Sequence, residues 1–206
     1  MENKSKTLRL YKDNMRIFIF AAIRFWTGSF IEFEKLIPKL GKILDLGCGY
    51  GILANYLAIT SPKREIYGID TDAKKIKEAF KEVENTKFSI GDATKIMEKK
   101  LETIILHDVL HHLNSYSDQE KLIISCKNML TKNGKLFIVE VNNSPFWKLV
   151  LARVTDFFMY SGARVYYRYK DEIMELLKNY FPKNNIAYCN LSGGPFPQVL
   201  YICQKN

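Results

Sequence analysis

The sequence has few cysteines, and their spacing excludes several classes of protein. Four occur among 206 residues, at Cys48, Cys126, Cys189 and Cys203, and no two of them form a CxxC pair. This pattern is typical of a reducing compartment and not of a disulfide framework or a zinc site. We therefore predict a cytoplasmic protein without a bound metal ion.

Acidic residues are also scarce relative to basic ones. Asp and Glu number 22 against 31 Lys and Arg, which gives a net charge of +9. Such an excess suits nucleic acid, an anionic membrane surface or an acidic substrate, so charge alone does not choose among these partners.

No apolar run reaches the roughly 20 residues that a membrane-spanning helix needs. The segment Ile17–Ile23 is apolar and follows several basic residues, as in a signal peptide, but Arg24 ends it and no cleavage site of small residues follows. We predict instead an amphipathic helix over Lys4–Ile23, within a helical cap formed by residues 1–40.

The sequence lacks internal repeats, low-complexity segments and linkers, so we predict a single domain over residues 1–206. Short apolar runs alternate with helical patterns, which indicates an α/β fold with a parallel sheet and crossover helices. The last two strands follow each other without a helix and are therefore expected to be antiparallel neighbours. The predicted strands are Lys42–Leu46, Glu65–Ile69, Lys87–Ile90, Thr103–Leu106, Lys135–Val141, Asn185–Cys189 and Gln198–Cys203.

Local signals predict the ends of two helices. Thr71 is expected to cap the helix after the second strand, and Ser117 with Glu120 has the pattern of a capping box before the helix after the fourth. Asn133 and Gly134 predict a left-handed stop at the end of that helix.

A glycine-rich turn over Asp45–Gly51 follows the first strand and leads into a helix near Ile52. Such a turn brings bare backbone close to a ligand at the carboxyl edge of the sheet, and dinucleotide-binding proteins seat a pyrophosphate there. Asp45 argues against a phosphate, because its carboxylate would repel one. The same carboxylate would attract the ammonium and sulfonium of S-adenosylmethionine.

Two further acids end the next two strands. Asp70 lies about 20 residues beyond the glycines, where a carboxylate can accept hydrogen bonds from ribose hydroxyls. Asp92 follows the third strand and can accept from the amine of an adenine. Each of them has an alternative role as a helix cap.

Five segments of the sequence have the spacing of recognisable motifs, namely Asp45–Gly51, Ile69–Asp70, Gly91–Ala93, Asp108–Leu113 and Leu130–Leu136. Together they resemble the class I S-adenosylmethionine-dependent methyltransferases. The resemblance implies a Rossmann-like, doubly wound sheet of seven strands in the order 3-2-1-4-5-7-6, with the last strand antiparallel. The family commonly has Asp where this chain has Glu102, and we expect little consequence.

The resemblance also implies how the cofactor, S-adenosyl-L-methionine, is held. The turn Gly47–Gly49 would contact its methionine part, Asp70 its ribose, and Asp92 with Ala93 its adenine. We expect the thiol of Cys48 to pack under the turn and not to react. The full predicted cofactor site is Asp45, Leu46, Gly47, Cys48, Gly49, Asp70, Thr71, Asp92, Ala93 and His107.

All three histidines follow the fourth strand, where the family presents side chains toward the transferred methyl group. Histidine titrates near neutrality and can serve as a general base for a hydroxyl acceptor. We therefore predict His111 or His112 as the catalytic base, with simple packing as the alternative. Asp108 alone does not indicate a metal site, because we cannot place the further acidic ligands that such a site needs.

Residues 143–168 are predicted to form a helical lid after the fifth strand, and most of that segment is apolar. With the N-terminal helix it would give an apolar pocket, or a surface in contact with an anionic membrane. We expect methyl transfer to an oxygen of a hydrophobic small molecule or lipid-like metabolite. The alternatives are an RNA or tRNA methyltransferase and a non-catalytic protein that binds the cofactor; the sequence does not determine the oligomeric state.

Overall fold

The computed structural model describes residues 2–92, 100–142 and 165–206. Its centre is a seven-stranded sheet in the order β3-β2-β1-β4-β5-β7-β6. The strands are β1 (Gly41–Leu46), β2 (Arg64–Asp70), β3 (Thr86–Ile90), β4 (Leu101–His107), β5 (Leu130–Val141), β6 (Ile186–Leu191) and β7 (Gln198–Gln204). The predicted strand order is confirmed.

Strand direction is also as predicted. β1 lies between β2 and β4 and is parallel to both, whereas β7 lies between β5 and β6 and is antiparallel to both. Because β1, β2 and β4 are parallel, their carboxyl ends meet at one edge of the sheet. Gly47, Asp70 and Asp108 all lie at that edge.

Helices cover both faces of the sheet. On one face, α6 and α7 pack against the sheet; on the other, the N-terminal helices pack together with α4. Within the described ranges, no helix is both long and apolar enough to cross a bilayer. The helices are α1 (Glu2–Arg9), α2 (Met15–Thr27), α3 (Phe30–Glu34), α4 (Ile52–Thr60), α5 (Ala73–Ala79), α6 (Tyr116–Met129) and α7 (Lys170–Lys178), with 3-10 turns at Leu110–His112 and Lys183–Asn185.

The prediction of one helix over Lys4–Ile23 is wrong, because this segment forms two helices. Between them, Asn14 has an extended backbone, and its side chain accepts a hydrogen bond from the amide of Ile17 at 3.4 Å. A short polar side chain that bonds to a nearby amide competes with helix continuation, so the second helix begins after Asn14.

Both predicted helix caps are also wrong by a residue or two. The side chain of Asp72, not Thr71, caps α5 by accepting from the amides of Lys74 and Lys75. Ser115, not Ser117, caps α6. Each observed cap is the residue whose backbone is extended immediately before the first helical turn, which is what the bond to the orphan amides requires.

The stop after α6 is partly as predicted. Asn133 has a left-handed backbone, with φ of 63°. The helix, however, has already ended at Met129, and Asn133 lies within the residues assigned to β5.

The N-terminal extension is bonded to the glycine-rich turn. The buried hydroxyl of Tyr11 donates to the carbonyl of Tyr50 at 2.9 Å and accepts from the side-chain amide of Asn55 at 2.9 Å. Arg64, at the start of β2, is also buried and pairs with Glu34 of α3 at 2.9 Å. These contacts hold the first two helices and α3 against the sheet.

The predicted lid falls mainly outside the described residues, which omit 143–164. Residues 165–169 are described and have no regular secondary structure. They pack on the turn after β4, where the amide of Tyr166 donates to the carbonyl of His111 at 2.8 Å.

Candidate functional site

A cavity of about 480 Å³ opens at the carboxyl edge of the sheet, bounded by β1, β2, β4 and α2. It brings together nine of the predicted site residues, namely Asp45, Gly47, Cys48, Gly49, Asp70, Thr71, Asp92, His107 and His112. The side chain of Leu46 lies instead in the hydrophobic core, and His111 is buried behind the wall. Ala93 lies outside the described residues.

The three glycines of the turn are required for different reasons. Gly47, Gly49 and Gly51 all have φ between 55° and 72°, a region that other residues rarely adopt. A Cβ atom at Gly47 would lie 2.8 Å from Val109, and one at Gly51 would lie 2.7 Å from Ala79. At Gly49 a Cβ would meet no atom of the described residues within 4 Å other than those of its chain neighbours, so its bare backbone faces open space.

Asp70 stabilises the same turn. One carboxylate oxygen accepts from the amide of Gly49 at 2.8 Å, and the other accepts from the amide of Asp72 at 2.9 Å. Each carboxylate oxygen has a second lone pair that can accept from a ligand hydroxyl. Asp70 therefore organises the backbone and also presents acceptors to the cavity.

Asp45 carries an unsatisfied buried oxygen. Its Oδ2 atom has no hydrogen-bond partner in the described part of the chain. Burial, reinforced by the negative charge of Asp70, raises the pKa of Asp45 to about 7, while Arg24 opposes this shift. A buried acceptor in this condition is stabilised by a cation or a hydrogen-bond donor placed beside it.

Asp108 lies across the cavity in a strained backbone conformation, with φ of 55°. One carboxylate oxygen is 2.9 Å from Nη2 of Arg24, and the side-chain amide of Gln198 lies 3.1 and 3.2 Å from the two oxygens. Burial opposes ionisation, but Arg24 and His107 outweigh it and hold the pKa of Asp108 well below its usual range. The carboxylate is thus an ionised partner of Arg24.

His107 is fixed between this ion pair and α2. Its Nε2 atom is 2.8 Å from the carbonyl of Gly28, which can only accept, so Nε2 carries the proton. Its Nδ1 atom faces Asp108 at 3.2 Å and Arg24 at 3.4 Å. The ring packs nearly perpendicular to that of Phe30, with a centroid distance of 5.1 Å.

The other two histidines differ in exposure to the cavity. His111 is buried, and its Nδ1 atom is 2.5 Å from the carboxylate of Glu140. His112 lines the cavity. Burial, together with the neighbouring His111, lowers the pKa of His112 to about 3, so its ring is neutral at neutral pH.

Glu140 holds the turn that carries these histidines. Its second oxygen accepts from the amides of Val109 and Leu110 at 3.1 and 2.7 Å. Glu140 was not predicted as a site residue, although a single acid inside the apolar run of β5 is a signal that could have identified it. The pairing of Arg24 and Gln198 with Asp108 was not predicted either, because no local sequence pattern reveals it.

Cys48 fits the predicted packing role. Burial, together with the charges of Asp45 and Asp70, raises the pKa of its thiol well above the ordinary value. A thiol that stays protonated is a poor nucleophile.

Known proteins resemble this chain over most of its length. Residues 37–180 match the family described as "Methyltransferase domain". A demethylmenaquinone methyltransferase of Thermotoga maritima is 26% identical over 159 residues, which cover 66% of this chain and 68% of that protein.

A second group of relatives acts on a different substrate. The ribosomal RNA small subunit methyltransferase C of Acinetobacter baylyi is 35% identical over 157 residues, which cover 68% of this chain and 46% of that protein. The chain thus spans about half the length of these relatives.

Solved structures share the fold. A SAM-dependent methyltransferase from Archaeoglobus fulgidus superposes with a TM-score of 0.67 at 15% identity, covering 85% of this chain and 92% of that one.

Proposed function

The chain belongs to the methyltransferase domain family and is an S-adenosylmethionine-dependent methyltransferase, and we propose that its acceptor is an oxygen of a hydrophobic small molecule or lipid-like metabolite. The observation that carries this proposal is the composition of the cavity wall beyond the glycine turn. The aromatic rings of Phe20 and Phe30 and the side chain of Leu113 line the same cavity as the neutral ring of His112.

The residues at the ends of β1 and β2 fit the cofactor. The unsatisfied Oδ2 of Asp45 suits the ammonium of the methionine part, and the open space at Gly49 admits a ligand against the backbone. Asp70 keeps acceptor capacity for the ribose hydroxyls. We assign Asp92 and Thr71, which line the same cavity, to the adenine end.

When bound, the cofactor would supply an electrophilic methyl group, whose bond to the positively charged sulfur would break as the acceptor oxygen forms a bond to its carbon. The protein has to align that oxygen, exclude water and accept its proton. We assign the proton to His112. A ring with a low pKa is sufficient, because the oxygen becomes strongly acidic as it gains the methyl group.

We assign His111 a positioning role in place of a catalytic one. It does not line the cavity, and its contact with Glu140 fixes the turn on which His112 sits. Arg24 and Asp108 neutralise each other, so they leave little net charge on the wall that an apolar acceptor would meet.

The test is incubation of the purified protein with cofactor carrying a deuterated methyl group and a panel of phenols, quinols and acyl-chain acceptors. Mass spectrometry should detect the label on an oxygen of at least one apolar acceptor. Labelling of a carbon alone, or tight cofactor binding without transfer to any acceptor, contradicts the proposal.

Ribosomal or transfer RNA is the second candidate acceptor. The 35% identity to the ribosomal RNA methyltransferase and the net charge of +9 favour it. Small-subunit RNA and tRNA therefore belong in the same incubation, and label in RNA but in none of the apolar acceptors would replace the proposed function with this one.

A further inference from the structure

One face of α2 exposes large apolar side chains. Met15, Ile19, Ile23 and Trp26 recur at intervals of four, four and three residues, which places them along one side of a helix. Their exposed fractions are 65, 51, 36 and 62%. The opposite side of α2, which includes Ala21, is buried against the fold. Apolar groups aligned in this way commonly mark a contact surface.

The N-terminal segment that carries this face has an excess of positive charge. Residues 1–40 contain eight Lys or Arg and four Asp or Glu. Two of those acids are engaged elsewhere, since Glu34 pairs with Arg64 and Glu32 accepts from the amides of Ser192 and Gly193. The exposed side chains that immediately precede or flank the apolar face include Arg9, Lys12 and Arg16, against the single acid Asp13.

We propose that this face of α2 binds the surface of an anionic lipid bilayer, with the helix lying in the plane of the headgroups. The apolar stripe matches the hydrocarbon region of such a surface, and the cations that border it match the anionic headgroups. A Trp side chain is favoured at the boundary between these two regions. The helix has 13 residues, too few to span a bilayer, so it lies on the membrane.

The same helix also forms part of the cavity wall through Phe20 and Arg24. An apolar acceptor dissolved in the bilayer would therefore enter the cavity beside α2, and this step alone rests on the proposed function. Binding to the bilayer does not depend on it.

The test uses the full chain with the substitution Trp147→Phe, which leaves Trp26 as the only tryptophan. Vesicles of phosphatidylcholine with phosphatidylglycerol should shift the emission of Trp26 to the blue and carry the protein into the pellet on centrifugation. Added salt and vesicles of phosphatidylcholine alone should both weaken binding.

Ile19→Asp in the same background should lower the vesicle partition coefficient by about tenfold or more. The substitution removes an aliphatic side chain that would insert into the bilayer, and it adds a negative charge that the anionic headgroups repel. The control is Ile124→Asp, which changes another exposed isoleucine, 36% exposed against 51% for Ile19, on α6 across the sheet. It should leave vesicle binding unchanged.

Three results would overturn the inference. The first is the absence of binding to anionic vesicles. The second is a dimer in solution that Ile19→Asp converts to monomer, because the occupant would then be a second copy. The third is a clear fall in melting temperature for Ile19→Asp, because the face would then be covered by another part of this chain. All three are measured without cofactor or acceptor, so failure of methyl transfer bears only on the proposed function.

Discussion

The two halves of the cavity are built in different ways. The donor half, which we assign to the methyl donor, consists of Asp45, Gly47, Gly49 and Asp70, which lie within 25 positions of each other at the ends of β1 and β2. The acceptor half, which we assign to the methyl acceptor, contains Arg24, Asp108 and His112, and Asp108 is 90 positions from its partner Gln198. The donor half keeps an open space and an unsatisfied oxygen, whereas the charges of Asp108 and Arg24 in the acceptor half are already paired. An open space beside a buried polar atom without a hydrogen-bond partner indicates a ligand. A buried charge that is already paired indicates a structural role in the cavity wall.

The largest expected effect comes from removing His112, the residue to which we assign the proton of the acceptor. His112→Ala should lower kcat on a hydroxyl acceptor by roughly 10²-fold, the lower end of the range for general-base catalysis, because a ring with a pKa of about 3 is a weak base. Cofactor affinity, measured by calorimetry, should change little. On a phenol that is already ionised at the assay pH the loss should largely disappear. An equal loss on ionised and neutral acceptors would show that His112 supports the wall and does not take the proton.

The next largest effect concerns the ion pair of the acceptor half. Asp108→Asn should reduce the free energy of unfolding by about 3 kcal/mol, because it leaves the guanidinium of Arg24 largely buried without its counterion. Urea unfolding measures this. The double variant with Arg24→Gln should lose less than Asp108→Asn alone. The control is Glu78→Gln at the more exposed pair with Lys81, where we expect less than about 1 kcal/mol.

Two glycine substitutions sharpen the comparison inside the donor half. Gly49→Ala should lower the free energy of unfolding by about 1 kcal/mol, because alanine is disfavoured in the left-handed backbone conformation. It should weaken cofactor binding roughly tenfold, because the new methyl group occupies the space assigned to the ligand. Gly47→Ala should lose more stability, since its Cβ meets Val109 at 2.8 Å. Thermal unfolding and calorimetry on both variants separate the two effects. Equal destabilisation with unchanged affinity would contradict the assignment of Gly49.

The smallest effect is a pH dependence that originates at Asp45. Because its folded pKa of about 7 lies above the ordinary 3.8, the stability contributed by its protonated form is complete below 3.8 and is lost as the pH rises through about 7. Asp45→Asn should therefore flatten the decline of melting temperature across this window. It should also remove a several-fold gain in cofactor affinity between pH 6 and pH 8, which calorimetry in buffers of different ionisation enthalpy can detect. A wild-type affinity that is independent of pH would refute this role for Asp45.

The sequence predicted the sheet, and the placement of Asp45 and Asp70 at one edge of it, for a physical reason. Period-2 apolar runs and the glycine turn are short-range signals, and the parallel connections then bring Asp45 and Asp70 to the same edge. The positions of helix caps were less accurate, because Thr71 and Asp72 are both good caps and only backbone geometry decides between them.

The acceptor half was only partly predictable. The sequence marked the three histidines but did not separate His112, on the cavity wall, from His111, held by Glu140 behind it. That distinction depends on contacts between β5 and the turn after β4, which are far apart in the chain. The pair of Arg24 and Asp108 likewise joins an N-terminal helix to the end of β4, and no local pattern encodes it.

The hydroxyl of Tyr11 couples the N-terminal extension to the glycine turn, because the same oxygen bonds to the carbonyl of Tyr50 and to Asn55. A ligand that rigidifies this turn must therefore also slow local opening around residues 10–14. The extension would then become resistant to proteolysis and to amide hydrogen exchange when the cofactor is present, although it lies outside the matched family region.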